Sequence, residues 1–115
     1  MLNTTQPDSQ EYSMLLVFPP RRRLNLRIYL EALGLNPGDY YYLRLSPQER
    51  ALVLSSEQDT PAASRFKIYD LGYIHFPKAY LEAMDISVND LLVARLDCKT
   101  RRIIVKKAND IKGGN

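Results

Sequence analysis

The chain has 115 residues, and its 45% hydrophobic and 25% charged content is typical of one folded domain and excludes a largely disordered chain. The longest apolar stretch, residues 14–18, is far shorter than the roughly 20 residues that cross a membrane as a helix. The first residues are polar and lack a basic segment followed by an apolar one, so we expect no signal peptide and no membrane association. The single cysteine, Cys98, excludes an internal disulfide framework and favours the cytoplasm.

The net charge is +3 and the pI is about 9.1, which weakly favours an anionic partner. The distribution of charge is more informative than its total. Arg21, Arg22, Arg23 and Arg27 fall within one short stretch, and residues 101–107 contain a second basic group.

Two similar units are predicted along the chain, between a disordered tail (residues 1–12) and a C-terminal tail (residues 109–115). The first unit, residues 13–55, should contain a strand at 14–18, a turn at 19–21, a strand at 22–26, a helix at 27–33 and a hairpin of 40–45 with 51–55. Residues 56–64 are small, polar and proline-containing, which indicates a linker. The second unit, residues 65–108, should contain a strand at 65–69, a turn at 70–72, a strand at 73–76, a helix at 77–84 and a hairpin of 91–97 with 102–107.

An internal repeat supports this division. Residues 29–54 align without a gap with residues 80–105, and eight of the 26 positions are identical, where composition alone would give about one or two. Gly34 aligns with Asp85, and Gly38 with Asn89. Glycine, asparagine and aspartate best tolerate a positive φ, so both units are predicted to turn at the same two places.

Further upstream, residues 14–18 are aligned with 65–69 and residues 24–26 with 74–76, with Pro77 as an extra residue in the second unit. The sequence Asn36-Pro37-Gly38-Asp39 predicts a type II turn. The hairpin strands begin with apolar residues on both faces, so we expect the two units to bury each other in one core.

This order of elements, with LGLNPGD at residues 33–39 and YDLGYIHFPKAYLEAMDISVNDLLVARLDCKTRRIIVKK at residues 69–107, resembles the AbrB/SpoVT family. The resemblance implies a mainly β fold with short helices. It implies a swapped-hairpin β-barrel built from two tandem copies, which would form a pseudo-dimer within one chain. Members of that family are mostly transcription regulators or antitoxins that place a basic strand–turn face on duplex DNA.

The basic positions of the family are only partly present in this chain. The arginine that commonly follows the Leu-Gly turn is replaced by Tyr73, with Arg22 or Arg23 near the equivalent place of the first unit. The helix arginine of the family is replaced by Leu30 and Leu81. The candidate DNA-binding residues are therefore Arg21, Arg22, Arg23, Arg27, Arg65, Lys67 and Lys78.

No pattern in the sequence predicts an enzyme, a cofactor or a metal site. His75 and Cys98 are the only residues of their types, and the glycine-rich motifs of nucleotide-binding loops are missing. Glu31 and Glu82 are expected to be solvated, and Asp39 and Asp90 to cap turns. The tyrosines at 40–42 favour cross-strand packing over a stacking platform for bases.

Two classes of function fit these observations. One is a DNA-binding transcriptional regulator that contacts duplex DNA through a basic strand–turn face. The other is an interaction or assembly module, either an antitoxin-like protein or an adaptor, in which the same fold has lost its DNA contacts. A protein partner and a homo-oligomer both remain open.

Overall fold

A computed structural model describes residues 11–108 of the chain. In chain order, its elements are β1 (Glu11–Val17), β2 (Arg23–Asn25), α1 (Arg27–Ala32), β3 (Tyr40–Ser46), β4 (Ala51–Ser55), β5 (Ser64–Lys67), β6 (Tyr73–His75), α2 (Lys78–Met84), β7 (Leu91–Asp97) and β8 (Arg102–Lys107), with a 3₁₀ turn at Asp70–Gly72. The prediction of a mainly β chain with two short helices is confirmed. No helix among these residues is long and apolar enough to span a membrane.

The predicted N-terminal tail and the predicted linker each end earlier than expected. Residues 11 and 12, expected in the tail, belong to β1, and Ser64, expected in the linker, begins β5. All three residues belong to strands because they pair with a distant hairpin, which local composition does not reveal. The rest of the predicted tails, residues 1–10 and 109–115, lies outside the described residues.

The strands form a six-stranded sheet of order β1-β7-β8-β4-β3-β5 and a separate two-stranded sheet, β2-β6. The first strand of each unit pairs with the hairpin of the other unit, β1 with β7 and β5 with β3. If each strand is exchanged for its equivalent in the other unit (β1 with β5, β3 with β7, β4 with β8), the same strand order results, read from the opposite edge of the sheet.

The large sheet is open, so the predicted closed β-barrel is wrong. β1 and β5 are its two edges, and within residues 11–108 no ladder joins them. The small sheet and the helices contribute to the same core cluster as the large sheet, so its apolar residues are buried without closure. β5 has only four residues, which leaves little strand to close a barrel.

The main core is shared by both units. Leu24 and Ile74 face each other in the β2–β6 ladder, and both are buried in the cluster that includes Leu43 and Leu92 from the inner face of the large sheet. β7 alternates between buried and more exposed residues, as expected for a strand with one face on a core, whereas the central strand β4 is buried on both faces.

The two turns after the helices have the same geometry. In the first, Gly38 has φ 94°, the Asp39 N–H donates to the Asn36 carbonyl (2.9 Å), and the Asn36 N–H donates to the Asp39 carboxylate (2.8 Å). The second turn, residues 87–90, repeats these bonds at 3.0 and 2.7 Å with φ 76° at Asn89. The predicted positive φ and the predicted aspartate caps are confirmed.

The alignment of the first strands must be shifted by one residue. The Phe18 N–H donates to the Asp90 carbonyl, and the Ile68 N–H donates to the Asp39 carbonyl, both at 2.8 Å. Phe18 is therefore equivalent to Ile68, an offset of 50, and the alignment that paired Phe18 with Tyr69 is wrong. Before the helices, equivalent positions differ by 50 residues; from the helices onward they differ by 51.

The predicted linker packs against the outer face of the large sheet. Its Asp59 forms an ion pair with Arg44 at 3.0 Å. Arg44 lies opposite Val53 in the β3–β4 ladder, and Val53 is buried with Ala51 and Ile104 in a second small cluster. The connection between the units is thus part of the folded structure.

Candidate nucleic-acid interface

Two equivalent turns lie at opposite ends of the short β2–β6 ladder. Residues 19–22 lead into β2, and residues 69–72 lead into β6. The ladder has three residue pairs, with Arg23 opposite His75 at one end, so it spans only roughly 7 Å. The turns of the two units are therefore close neighbours, although they are about 50 residues apart in sequence.

Each turn is closed by a backbone hydrogen bond and a residue with positive φ. The Arg22 N–H donates to the Pro19 carbonyl (2.8 Å), with φ 61° at Arg22. The Gly72 N–H donates to the Tyr69 carbonyl (3.1 Å), with φ 81° at Gly72. Leu71 also has a positive φ, 65°, which is unusual for a bulky residue.

Both turns line one open groove of about 870 Å³. Its cationic residues are Arg21, Arg23 and Lys67, and its one carboxylate is Asp70. The remaining lining residues are mostly apolar or aromatic: Pro19, Pro20, Pro37, Gly38, Ile68, Tyr69, Leu71 and Tyr73. We call this feature the turn groove.

Arg23 and Tyr73 occupy equivalent positions of the two units and contact each other in the turn groove. The Arg23 guanidinium carbon lies 5.2 Å from the centre of the Tyr73 ring. A guanidinium stacked on an aromatic face is held in position while its N–H donors remain able to bind an anion. Tyr73, which replaces the arginine implied by the family resemblance, thus orients an arginine of the other unit.

The structure separates the candidate DNA-binding residues into two groups. Arg21, Arg23 and Lys67 meet in the turn groove. The other four lie elsewhere and are exposed: Arg22 next to the groove but outside its lining, Arg27 at the start of α1, Arg65 on β5 and Lys78 at the start of α2.

Three of these outer cations have local partners. Arg27 forms an ion pair with Glu31 at 2.9 Å, and Lys78 lies 3.9 Å from Glu82, each one turn along its own helix. The guanidinium carbon of Arg65 lies 4.5 Å from the centre of the Tyr40 ring. Exposed pairs of this kind contribute little to stability and are easily opened by a competing phosphate.

The helices do not offer the contact that the resemblance implies. Leu30 and Leu81, at the positions of the family's helix arginine, are both buried in the core. The loss of arginine at these positions therefore matches their packing.

The second basic group, in residues 101–107, binds helix ends. The Arg101 guanidinium donates to the Leu33 carbonyl at the end of α1 (2.9 Å), and the Lys107 ammonium donates to the Asp85 carbonyl at the end of α2 (2.8 Å). Lys107 also lies 3.8 Å from the Asp90 carboxylate. Cations suit the C-terminal ends of helices, so Arg101 and Lys107 both stabilise the fold at these ends.

Sequence reasoning missed Tyr69, Leu71 and Pro37 as groove residues. The Gly38 N–H donates to the Ile68 carbonyl (2.9 Å), which brings the turn after α1 to the end of β5. The repeated turn chemistry was visible in the sequence, but the pairing that joins these distant turns was not.

Among residues 11–108, no group of histidine, cysteine, aspartate and glutamate side chains is arranged to hold a metal ion. Comparisons with protein-family models, with curated proteins and with solved structures find no match to this chain. Its function is therefore inferred from the turn groove and from the repeated architecture.

Proposed function

We propose that this chain is a tandem swapped-hairpin protein of AbrB/SpoVT type that binds duplex DNA through the turn groove and acts as a transcriptional regulator. The cross-pairing of each first strand with the other unit's hairpin supports the swapped arrangement, as does the unchanged strand order when the units are exchanged. The open sheet is the main departure from the fold that the resemblance implies.

One observation carries the proposal: Arg21 and Arg23 of the first unit and Lys67 of the second, which are distant in sequence, line one open groove between the two turns. Side chains on a protruding turn reach phosphate oxygens readily, and a guanidinium can donate two parallel hydrogen bonds to one phosphate. Arg21 is exposed and suits this role, while Lys67 supplies a compact charge from the end of β5.

The two sides of the turn groove carry different charges, so we expect the DNA contact to be asymmetric. The first unit contributes Arg21 and Arg23, whereas the second contributes Lys67, Tyr69 and the carboxylate of Asp70. Asp70 repels phosphate, so the backbone of the duplex should run along the first unit's turn.

The test is a titration of one labelled duplex at several salt concentrations. Each cation that neutralises a phosphate releases counterions, and log Kd changes with log salt by about 0.9 per contact. Replacing Arg21, Arg23 and Lys67 together by alanine should weaken binding and flatten the slope by up to ~3 units. Replacing Arg22 alone should have a smaller effect, because Arg22 does not line the groove.

The matched control removes the same net charge outside the groove, by replacing Arg27, Lys78 and Lys99 with alanine. All three are exposed, and Lys99 lies in the β7–β8 turn at the opposite end of the sheet. This variant should keep most of the affinity. If both variants lose affinity equally, binding follows net charge and not the groove; if neither does, the proposal is wrong.

The interaction-module alternative has one observation in its favour: the outer face of the sheet exposes apolar side chains, including Leu15, Val17 and Leu91. That alternative becomes the better one if the triple groove variant binds DNA as tightly as the unaltered chain. It also becomes the better one if the unaltered chain does not bind DNA at low salt.

A further inference from the structure

The two edges of the large sheet are equivalent in position but opposite in chemistry. β1 has seven residues and β5 has four. With the 50-residue offset, Leu15 is equivalent to Arg65, and Val17 to Lys67. One edge therefore carries aliphatic side chains where the other carries two cations.

The aliphatic residues at the β1 edge form one patch on the outer face. Val17 lies opposite Leu91, and Leu15 lies opposite Val93 in the β1–β7 ladder. Leu15 is 64% exposed, Val17 57% and Leu91 46%. We call these four residues the β1 patch. Contiguous exposed apolar side chains of this kind mark interaction surfaces.

Residues 13–17 of β1 lie at an edge of the large sheet. Within residues 11–108, β7 is the only strand paired with them, and no described strand lies on their other side. Proteins protect edge strands with short length and with charged side chains, and β5 has both. β1 is longer, with seven residues, and its only charged residue is Glu11 at its start.

We propose that the β1 edges of two copies of this chain pair antiparallel about a two-fold axis, which forms a homodimer with a continuous twelve-stranded sheet. A two-fold axis perpendicular to the sheet keeps each face on its own side. Leu15 and Val17 of both copies therefore fall on the same outer face, and the two β1 patches merge.

The β1 edge of a second copy fits this edge better than the β5 edge of a second copy does. Pairing of β1 with β5 of another molecule would put Arg65 and Lys67 beside Leu15 and Val17, and repetition of that contact would build an open chain of molecules. Pairing of β1 with β1 sets the uncharged residues 13–17 of one copy against the same residues of the other and closes after two molecules. The interface is one ladder plus a small patch, so we expect reversible association with Kd on the order of micromolar.

The test measures the mass of the full chain by sedimentation over about a hundredfold range of protein concentration. The unaltered chain should approach twice the 13.3 kDa of one molecule at the upper end. The variant Leu15→Arg/Val17→Lys copies the residues that the equivalent positions of β5 already carry, so a sheet edge of this composition is known in the same molecule. It should remain a monomer throughout.

Ile28→Lys is the matched control, because Ile28 is a 75% exposed apolar residue on α1, away from the edge. This variant should dimerise like the unaltered chain. A second variant, Leu91→Lys, changes the patch without altering β1 and should raise Kd at least about tenfold. Circular dichroism of each variant verifies that it is folded.

Each contrary result overturns the inference. A monomeric unaltered chain shows that the edge is unused, and a folded double variant or Leu91→Lys that dimerises normally places the interface elsewhere. Loss of the dimer in Ile28→Lys does the same. Masses that grow beyond two molecules indicate the open β1–β5 contact. No DNA is present in these samples, so the results do not depend on the proposed function.

Discussion

The hydroxyl of Tyr41 is an uncompensated polar group in the core. Tyr41 is fully buried in β3, and among the described residues its hydroxyl has no hydrogen-bond partner. Burial raises the pKa of this phenol well above its ordinary value, so it stays neutral. The equivalent residue of the other unit, Leu92, is equally buried and has no polar atom.

We expect Tyr41→Phe to raise the free energy of unfolding by about 1 kcal/mol, because the ring is kept and an unpaired buried hydroxyl is removed. Denaturant unfolding measures the change. Tyr42→Phe, on the half-buried outer side of the same strand, should change stability by much less. A loss of stability in Tyr41→Phe would show that the hydroxyl has a partner in solution.

For single residues, backbone conformation could be predicted from the sequence better than contacts between side chains. The positive φ values at Gly38 and Asn89 follow from local steric rules and were predicted correctly. The separation of Arg22 from Arg21 and Arg23 was not predicted, because it depends on how one turn packs beside a turn from the other unit.

Gly72 joins the second unit's turn to the first unit's helix. A Cβ atom at Gly72 would lie 2.6 Å from the Arg27 Cβ and 3.0 Å from its Cα. The Leu26 N–H, just before α1, also donates to the Gly72 carbonyl (3.4 Å). The turn can approach α1 this closely only because it has no side chain at this position.

Gly34 provides a matched comparison for this contact. Both glycines have φ 81°, but a Cβ at Gly34 would meet nothing within 4 Å. We expect Gly34→Ala to lower the free energy of unfolding by about 1 kcal/mol through backbone strain alone. Gly72→Ala should lose a further ~1–3 kcal/mol, because Arg27 and α1 must move. Equal losses in the two variants would mean that the turn does not pack on α1.

The type and order of the elements could be predicted because each depends on nearby residues. β7 and β8 have the predicted bounds, and α2 differs by one residue, with Pro77 immediately before it. The closure of the sheet could not be predicted in this way. It depends on the length of β5 and on pairing between strands far apart in the chain.

Across residues 11–108, neither unit has a complete sheet of its own. Besides the two cross-paired edges, the two hairpins join through the β4–β8 ladder, and β2 of one unit pairs with β6 of the other. We therefore expect the chain to unfold in one cooperative transition.

Leu24→Ala tests this cooperativity, because Leu24 belongs to the first unit and faces Ile74 of the second. The variant should lose about 2–5 kcal/mol of stability through the cavity left in the shared core. Hydrogen exchange should report the same loss for the most protected amides of β3–β4 and of β7–β8. Loss of protection in β3–β4 alone would indicate two units that unfold independently.

The strand order also determines how the fold resists mechanical force. Glu11, where β1 begins, lies opposite Asp97, whereas Lys107, where β8 ends, lies opposite Leu92 near the other end of β7. Tension applied between the two ends of the described chain therefore pulls β1 and β8 in opposite directions along their lengths, with β7 held between them. The hydrogen bonds of an antiparallel ladder lie across the strands, so this load shears two ladders at once and does not open them one bond at a time. Pulled from its ends, the sheet should yield at a higher force than a hairpin that is peeled apart from its open end.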